Sequence, residues 1–339
     1  MTLQQIEAVC AIAANGLNMS AAATALRQSQ PTLSRHLQNL ERELGVDIFV
    51  RTRNRIVALT PRGEEVLRIG QRILRDTRDL ALLRDADAPG SAGELRIATT
   101  HLHARYSLPA VMHGFTRRHP KVALTLRQGD PGQCCDLVAA GEADLGITTV
   151  PARHTKAVVA LPAYQLARCV LVLRGHPLTR RRKLTLAMLA EYPMVAYSAP
   201  YSGRWIVEEA FERAGLKPRI VCSAIDADVS KTYVELGMGI AVLARIAYDE
   251  RRDRALTALD AQHLFSPSVL HLVVRRHSYL PRHAQEFLGA FAPHIDGALL
   301  RQAAEGGEVD RAQLARDAPP AFFGAKKAPP ERRGSEHSA

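Results

Sequence analysis

The stretch from Asn18 to Leu44 with its closing glycine, NMSAAATALRQSQPTLSRHLQNLERELG, constrains this chain more than any other. It reads as two short helices joined by a tight turn that sets the second at an angle to the first. Ser20 is placed to cap the first, where Ala22, Ala23 and Leu26 recur at the spacing that turns one helical face inward. Ser29 is placed to cap the second, in which Leu33, Leu37, Leu40 and Leu44 form one apolar stripe. The opposite face is polar. Gln30, Pro31, Thr32, Ser34 and Arg35 crowd its first turn and a half, where a helix-turn-helix protein presents side chains to base edges in the major groove. Pro31 is tolerated because an early helical position has no backbone hydrogen bond to lose. An ordinary helical hairpin in a globular core is the competing reading.

The flanking segments extend the first reading. Leu3, Ile6, Cys10 and Ala13 predict a preceding helix that packs beneath the hairpin. After Gly45, DIFVRTRNRIVALT reads as two short strands joined by a polar turn at Arg53-Asn54, a wing. Arg51, Arg53 and Arg55 alternate there and can reach phosphates or a minor groove, contacts that supply affinity and register. A solvated basic loop is the alternative. Thr60-Pro61 opens a long helix with Glu64 and Glu65 in its first turn, where negative charge suits the helix dipole. Val66, Ile69, Ile73, Leu80 and Leu83 keep near-heptad spacing, broken at Asp76 and Thr77, so this helix wants a partner helix, with packing on its own domain as the alternative. A two-fold pair would set two recognition helices on successive major-groove faces and imply a palindromic operator. Ala86 to Gly93, with Pro89-Gly90-Ser91, reads as the hinge.

A chain of 339 residues suits a small domain joined to a larger one. Its formal charge of +11 favours a polyanionic partner, although charge alone speaks to attraction and not to readout. No apolar run is long enough to cross a bilayer, and MTLQQIEAVC has neither a basic start nor a cleavable apolar core, so a cytoplasmic protein is expected. The cysteines Cys10, Cys134, Cys135, Cys169 and Cys222 lack metal-like spacing and read as buried thiols. His101 and His103 have no acidic or cysteine companions nearby in sequence, so no metal and no cofactor are expected.

From Gly93 the pattern changes to alternating short strands and helices, an α/β domain. Expected strands are 94–99, 122–127, 144–147, 169–173, 194–197, 219–222, 240–243 and 269–274. Ligands in such sheets bind beyond the carboxyl ends of strands. Thr99 and Thr100 follow the first strand and precede a helix near Ala104, Thr148 and Thr149 follow another strand, and Ser202-Gly203 precedes a helix from Trp205 to Ala214. Hydroxyls and helix-terminal amides converging there suit a small anion, while routine capping explains any one of them alone. The cleft residues offer no nucleophile-base pair or carboxylate dyad, which argues against an anion-binding enzyme, and the missing signal peptide argues against a solute-binding protein. After Arg301 no apolar period is sustained, and 301–339 reads as a disordered tail.

QSQPTLSRHLQNLERELGVDIFVR followed by LTPRGEEVL resembles the DNA-binding domain and linker helix of the LysR-type transcriptional regulators. ELRIATTHLHARYSLP, PRIVCSAIDADVSKTYVELGMGIAV and FAPHI resemble the CysB/Cbl group of that family, the regulators of cysteine biosynthesis and sulfur assimilation. The resemblance runs to about Leu300. It implies a winged helix-turn-helix over 1–60, a linker helix and hinge over 61–90, and a periplasmic-binding-protein-like effector domain of two α/β subdomains over 91–300. It implies a homo-oligomer, a tetramer in this family, that binds double-stranded DNA and senses sulfate, O-acetylserine, N-acetylserine or a related metabolite, with contact to RNA polymerase left open. Carried over by position, groove contacts fall on Gln30, Pro31, Ser34 and Arg35, and the anion-binding hydroxyls on Thr100, Thr149 and Ser202. The chain departs at Leu102 and His103, where the group has a threonine and a glutamine. Leu102 cannot hydrogen-bond, and a protonated His103 would add charge that favours a more anionic or bulkier effector. A LysR-type regulator of another pathway is the alternative.

Overall fold

The computed structural model describes residues 1–53, 55–83, 93–149, 158–199, 201–305, 307 and 309–321. It divides into two compact units, Met1–Pro89 and Gly90–Ala339. In the first, α1 (Leu3–Ala14), α2 (Met19–Ala25) and α3 (Gln30–Leu44) enclose a core that includes Val9, Ile12, Ala22, Leu33, Leu37 and Leu40. Ser29 caps α3, its Oγ accepting from the Thr32 amide at 3.2 Å, and Gly45 ends it at φ 67°, a backbone that favours glycine. α2 corrects the sequence reading. Asn18 is its cap, accepting from the Ser20 and Ala21 amides at 3.0 and 3.1 Å. Asn caps as well as Ser, so the earlier residue takes the role, and the Ser20 hydroxyl donates to Gln30 Oε1 at 3.1 Å.

Two apolar stripes also shift. α1 packs against both α3 and α4 (Pro61–Leu83), so its buried face centres on Ile6, Ala8, Val9 and Ile12, while Leu3 is 44% exposed. Leu44 is 40% exposed and, instead of joining the three-helix core, lines an apolar groove with Val66, Ile69 and Ile73. β1 (Phe49–Thr52) and β2 (Arg55–Leu59) pair antiparallel as the expected wing, and Phe49 anchors it in the core. Thr60 Oγ1 accepts from the Gly63 amide at 2.8 Å and caps α4. Along α4, Val66 and Ile73 are half-buried, whereas Ile69 is 41% and Leu80 67% exposed. Asn54, the Leu83 side chain and the expected hinge up to residue 92 lie outside the described residues.

The second unit holds two five-stranded sheets. In the first, β3 (Gly93–Thr99) runs parallel to β4 (Val122–Gln128) and β5 (Leu145–Thr148). β6 (Val158–Leu166) and β12 (Ser268–Arg275) complete it antiparallel, in the order β4-β3-β5-β12-β6. The second sheet has the order β11-β7-β10-β8-β9, built from β7 (Arg168–Leu173), β8 (Pro193–Tyr197), β9 (Arg219–Ala224), β10 (Ile240–Ala244) and β11 (Leu256–Asp260). The chain crosses from the first sheet to the second between β6 and β7 and returns before β12. The two lobes are therefore joined at the feet of those strands.

β6 and β11 were not among the expected strands. Pro162 interrupts the apolar run of β6 and argues against a strand; the sheet accommodates it because β6 is an edge strand and the register shifts beside the His271–Pro162 pair. Helices α5 (His101–Tyr106), α6 (Pro109–Arg118), α7 (Pro131–Ala139) and α11 (Arg282–Phe291) serve the first lobe, and α8 (Leu186–Ala190), α9 (Ser202–Arg213) and α10 (Ala227–Glu235) the second. Both α5 and α9 begin three residues earlier than the sequence suggested, which brings their first turns to the strand ends. The tail reading is also corrected. α12 (Gly297–Ala304) buries Leu300, Ala303 and Ala304 in the first-lobe core, α13 (Arg311–Asp317) follows, and Pro320 bridges to Gln165 on the open edge of β6. That edge offers unpaired backbone groups, which explains why the chain settles there. Phe322, Phe323 and the remainder lie outside the described residues.

Candidate functional site

A cavity of about 30 Å³ lies between the two lobes, where the carboxyl ends of strands from both sheets meet. Since about 10 to 15 Å³ on this measure admits one water, it has room for a small polyatomic ion. The first lobe contributes Thr100, Leu102, His103 and Thr149, and the second contributes Arg168, Tyr197 and Gly203. Four of the seven expected effector residues thus come together. Thr100 is the cap residue of α5 but makes no side-chain cap bond, so its hydroxyl is not committed to the helix. Thr99 and Thr148 are corrected: both are buried, and their hydroxyls donate to the carbonyls of Ile147 at 2.8 Å and Thr149 at 3.1 Å. Strand side chains alternate, so of two adjacent threonines only one can face the cleft. The Ser202 side chain lies outside the described residues, but Gly203 beside it is tightly packed: a Cβ there would sit 2.4 Å from Tyr197 Cδ2.

Burial changes the meaning of His103. The ring is 1% exposed, its Nδ1 lies 3.0 Å from Ser107 Oγ, and desolvation pushes its pKa down to about 3. It is neutral at physiological pH, so the charge a protonated ring would bring is not supplied. Leu102 packs against the cores of both lobes, which accounts for an apolar residue at the cleft.

The positive charge comes from a residue the sequence reading passed over. Arg168, the first residue of β7, is 3% exposed, and burial lowers its pKa, although a guanidinium stays charged. Its Nη2 donates to Ser268 Oγ at the first residue of β12, while its Nε has no hydrogen-bond partner. Among the described residues no carboxylate pairs with it. The buried hydroxyl of Tyr197 also lacks a partner, and desolvation raises its pKa. A charged residue opening the otherwise apolar run RCVLVL was the available signal.

Beside the cavity, α5 and α10 are tied across the lobes. Asp228 accepts from Tyr106 OH at 2.5 Å, lies 2.9 Å from His101 Nε2, and pairs with Arg105 and Lys231 at 3.2 Å each. Burial opposes its charge, but the bonds from Tyr106 and His101 and the charge of Lys231 more than offset it and hold its pKa near 2. Lys231 also donates to Asp253 Oδ1 at 3.0 Å. The fold thus gives His101 the acidic neighbours its local sequence lacks, since its ring and the Asp226 and Asp228 carboxylates lie within 4.8 Å of one another. Asp226 is spent capping α10 and Asp228 is already neutralised by two cations, so this donor set does not fit a metal ion.

In the first unit, Gln30, Pro31 and Arg35 are exposed on the first turns of α3, with Thr32 and Ser34 half-buried beside them. Thr32 Oγ1 is 2.8 Å from the capping Ser29 Oγ, which fixes the start of the polar face. Arg53 and Arg55 are exposed at the wing. Arg51 differs: it pairs with Glu41 of α3 at 2.7 Å, and Glu41 also accepts from the Ile48 amide at 3.0 Å, so Arg51 fastens the wing to the recognition helix.

Residues 3–64 match the bacterial regulatory helix-turn-helix protein, lysR family, and residues 88–296 match the LysR substrate binding domain. The HTH-type transcriptional regulator SsuR of Burkholderia cenocepacia is 43% identical over 307 residues, 89% of this chain and 100% of that protein. CysB of the same organism is 39% identical over 306 residues, 90% of this chain and 98% of that one. The crystal structure of the cofactor-binding domain of the Cbl transcriptional regulator superposes with a TM-score of 0.61 at 38% identity, covering 63% of this chain and 95% of that domain. No helix among the described residues is long and apolar enough to cross a membrane. With a helix-turn-helix unit for DNA and an α/β unit for a small effector, the chain belongs to the LysR family of transcriptional regulators and is not an enzyme.

Proposed function

We propose that this regulator acts in the cytoplasm on genes of sulfur assimilation and cysteine biosynthesis, and that a small anionic sulfur-status metabolite bound between the two lobes sets its activity. The reading is supported by the relatives named CysB and Cbl. The observation that carries it is the cleft, where the hydroxyl-bearing residues Thr100 and Thr149 face a buried arginine that has no carboxylate partner among the described residues. Effector binding shifts a pre-existing equilibrium between cleft conformations, and that shift is read at the operator. The test is the melting temperature of the full-length protein against sulfate, thiosulfate, O-acetylserine and N-acetylserine at matched ionic strength, with chloride as control. A saturable rise that is lost in Thr100→Ala supports the sulfur reading. No rise with any of them sets it aside in favour of a LysR-type regulator of another pathway.

For DNA, Gln30, Pro31, Thr32, Ser34 and Arg35 read bases of a palindromic operator, and Arg53 and Arg55 hold its phosphates. Arg51 acts mainly through the wing. The exposed Ile69 and Leu80 on α4 pair with a second copy, which builds the homo-oligomer, a tetramer with contact to RNA polymerase at the promoter. Arg35→Ala should cost about 1 to 3 kcal/mol at one base position, whereas Arg53→Ala should weaken all sequences alike and make the salt dependence shallower by about one unit. Equal losses on operator and random DNA for Arg35→Ala would remove it from the readout set.

A further inference from the structure

Arg168 opens β7 where the chain first crosses to the second lobe, and Ser268 opens β12 where it returns, so the bond from Arg168 Nη2 to Ser268 Oγ lies on the hinge. The guanidinium and the Tyr197 ring both line the cavity, and each keeps one buried polar atom without a partner, Nε and the phenolic oxygen. A buried donor left unpaired is costly, and a buried cation without a counter-charge more so, unless something that visits the site completes them. Asp226, the carboxylate on the cavity wall, has Oδ1 engaged by the Val229 amide at 2.8 Å and forms no ion pair with Arg168 among the described residues.

We propose that Arg168 and Tyr197 form the charge-reading wall of the effector cleft: the Arg168 Nε–H and the Tyr197 hydroxyl donate to a small tetrahedral oxyanion that Thr100 and Thr149 hold from the other lobe. This rests on the cleft reading of the proposed function and adds two things to it. The ligand must carry negative charge, since the buried Arg168 guanidinium on the cavity wall has no carboxylate partner among the described residues. The anion also spans both lobes at the hinge, so its binding favours the closed arrangement. A volume of about 30 Å³ suits a small inorganic oxyanion.

The test uses full-length protein at matched ionic strength, with sulfate, thiosulfate and phosphate as probes, malonate as a non-tetrahedral control, chloride as the salt control, and melting temperature and calorimetric affinity as readouts. The expected result is saturable binding of at least one probe by the wild type, an affinity at least tenfold weaker in Arg168→Gln, and one at least threefold weaker in Tyr197→Phe. Relieved of an unpaired buried charge, Arg168→Gln without ligand should melt no lower than the wild type. Affinities within twofold of wild type in both variants overturn the proposal, as does the absence of any anion effect above chloride. Binding of phosphate alone, lost in Arg168→Gln, upholds the charge-reading wall while removing sulfur as the signal, and binding of malonate alone overturns the tetrahedral oxyanion. Should Arg168→Gln fail to fold, Tyr197→Phe decides: a threefold loss upholds the proposal and unchanged affinity overturns it.

Discussion

A fully enclosed imidazole with no carboxylate partner among the described residues ties the stability of the effector unit to pH. His103 titrates near 6.5 in an unfolded chain but only at about 3 when folded, because burial disfavours its charged form. Between those values the unfolded chain binds the extra proton. Stability is therefore complete above pH 6.5 and falls as pH drops, by about 1.4 kcal/mol per pH unit for this one group. His271, pushed down to about 4 by burial, adds a second slope of the same sign. We expect His103→Gln to reduce by about one the protons taken up on unfolding, read from the pH dependence of the effector unit's transition between pH 7 and 5. An unchanged slope would place His103 in water. The sequence points to the same residue but leaves its protonation open, since adjacency to a strand end says nothing about how completely a ring is enclosed. Arg168 was harder to see, because an arginine at a strand start looks like a solvated end until the sheet closes over it.

At the level of elements, the polar face of α3 depends on how the helix begins. Ser29 Oγ holds the Thr32 amide at 3.2 Å, and that first turn carries Gln30, Pro31 and Thr32. Ser29→Ala should destabilise the first unit by about 1 kcal/mol and weaken operator binding with it. Unchanged operator affinity at a lowered melting temperature would show that the first turn re-forms on DNA. Elements with one dominant period, such as α3, were legible because the leucine spacing admits one structure. β6 was not, because Pro162 looks like a breaker until the strand is known to be an edge, and edge position follows from the order of all five strands. α12 was missed for a related reason. Its leucine and alanines become an apolar face only when the first-lobe core is present to receive them.

On the scale of the whole molecule, α4 poses the remaining physical problem. It is 23 residues long and leaves Ile69 and Leu80 at 41% and 67% exposure, although burying such a side chain is worth about 1.5 to 3 kcal/mol. Under the pairing proposed above, a second copy that brings its own α4 covers these side chains on both chains at once and brings two winged helices to one operator. Leu80→Glu separates assembly from folding. An exposed site changes the stability of the single chain by no more than about 0.5 kcal/mol, so the melting temperature of dilute protein should hold. Sedimentation should show a smaller species, and the salt dependence of operator binding should become about half as steep, because one winged helix displaces half the counterions that two do. An unchanged sedimentation coefficient together with an unchanged salt slope would mean that the exposed stripe of α4 is not what joins the copies.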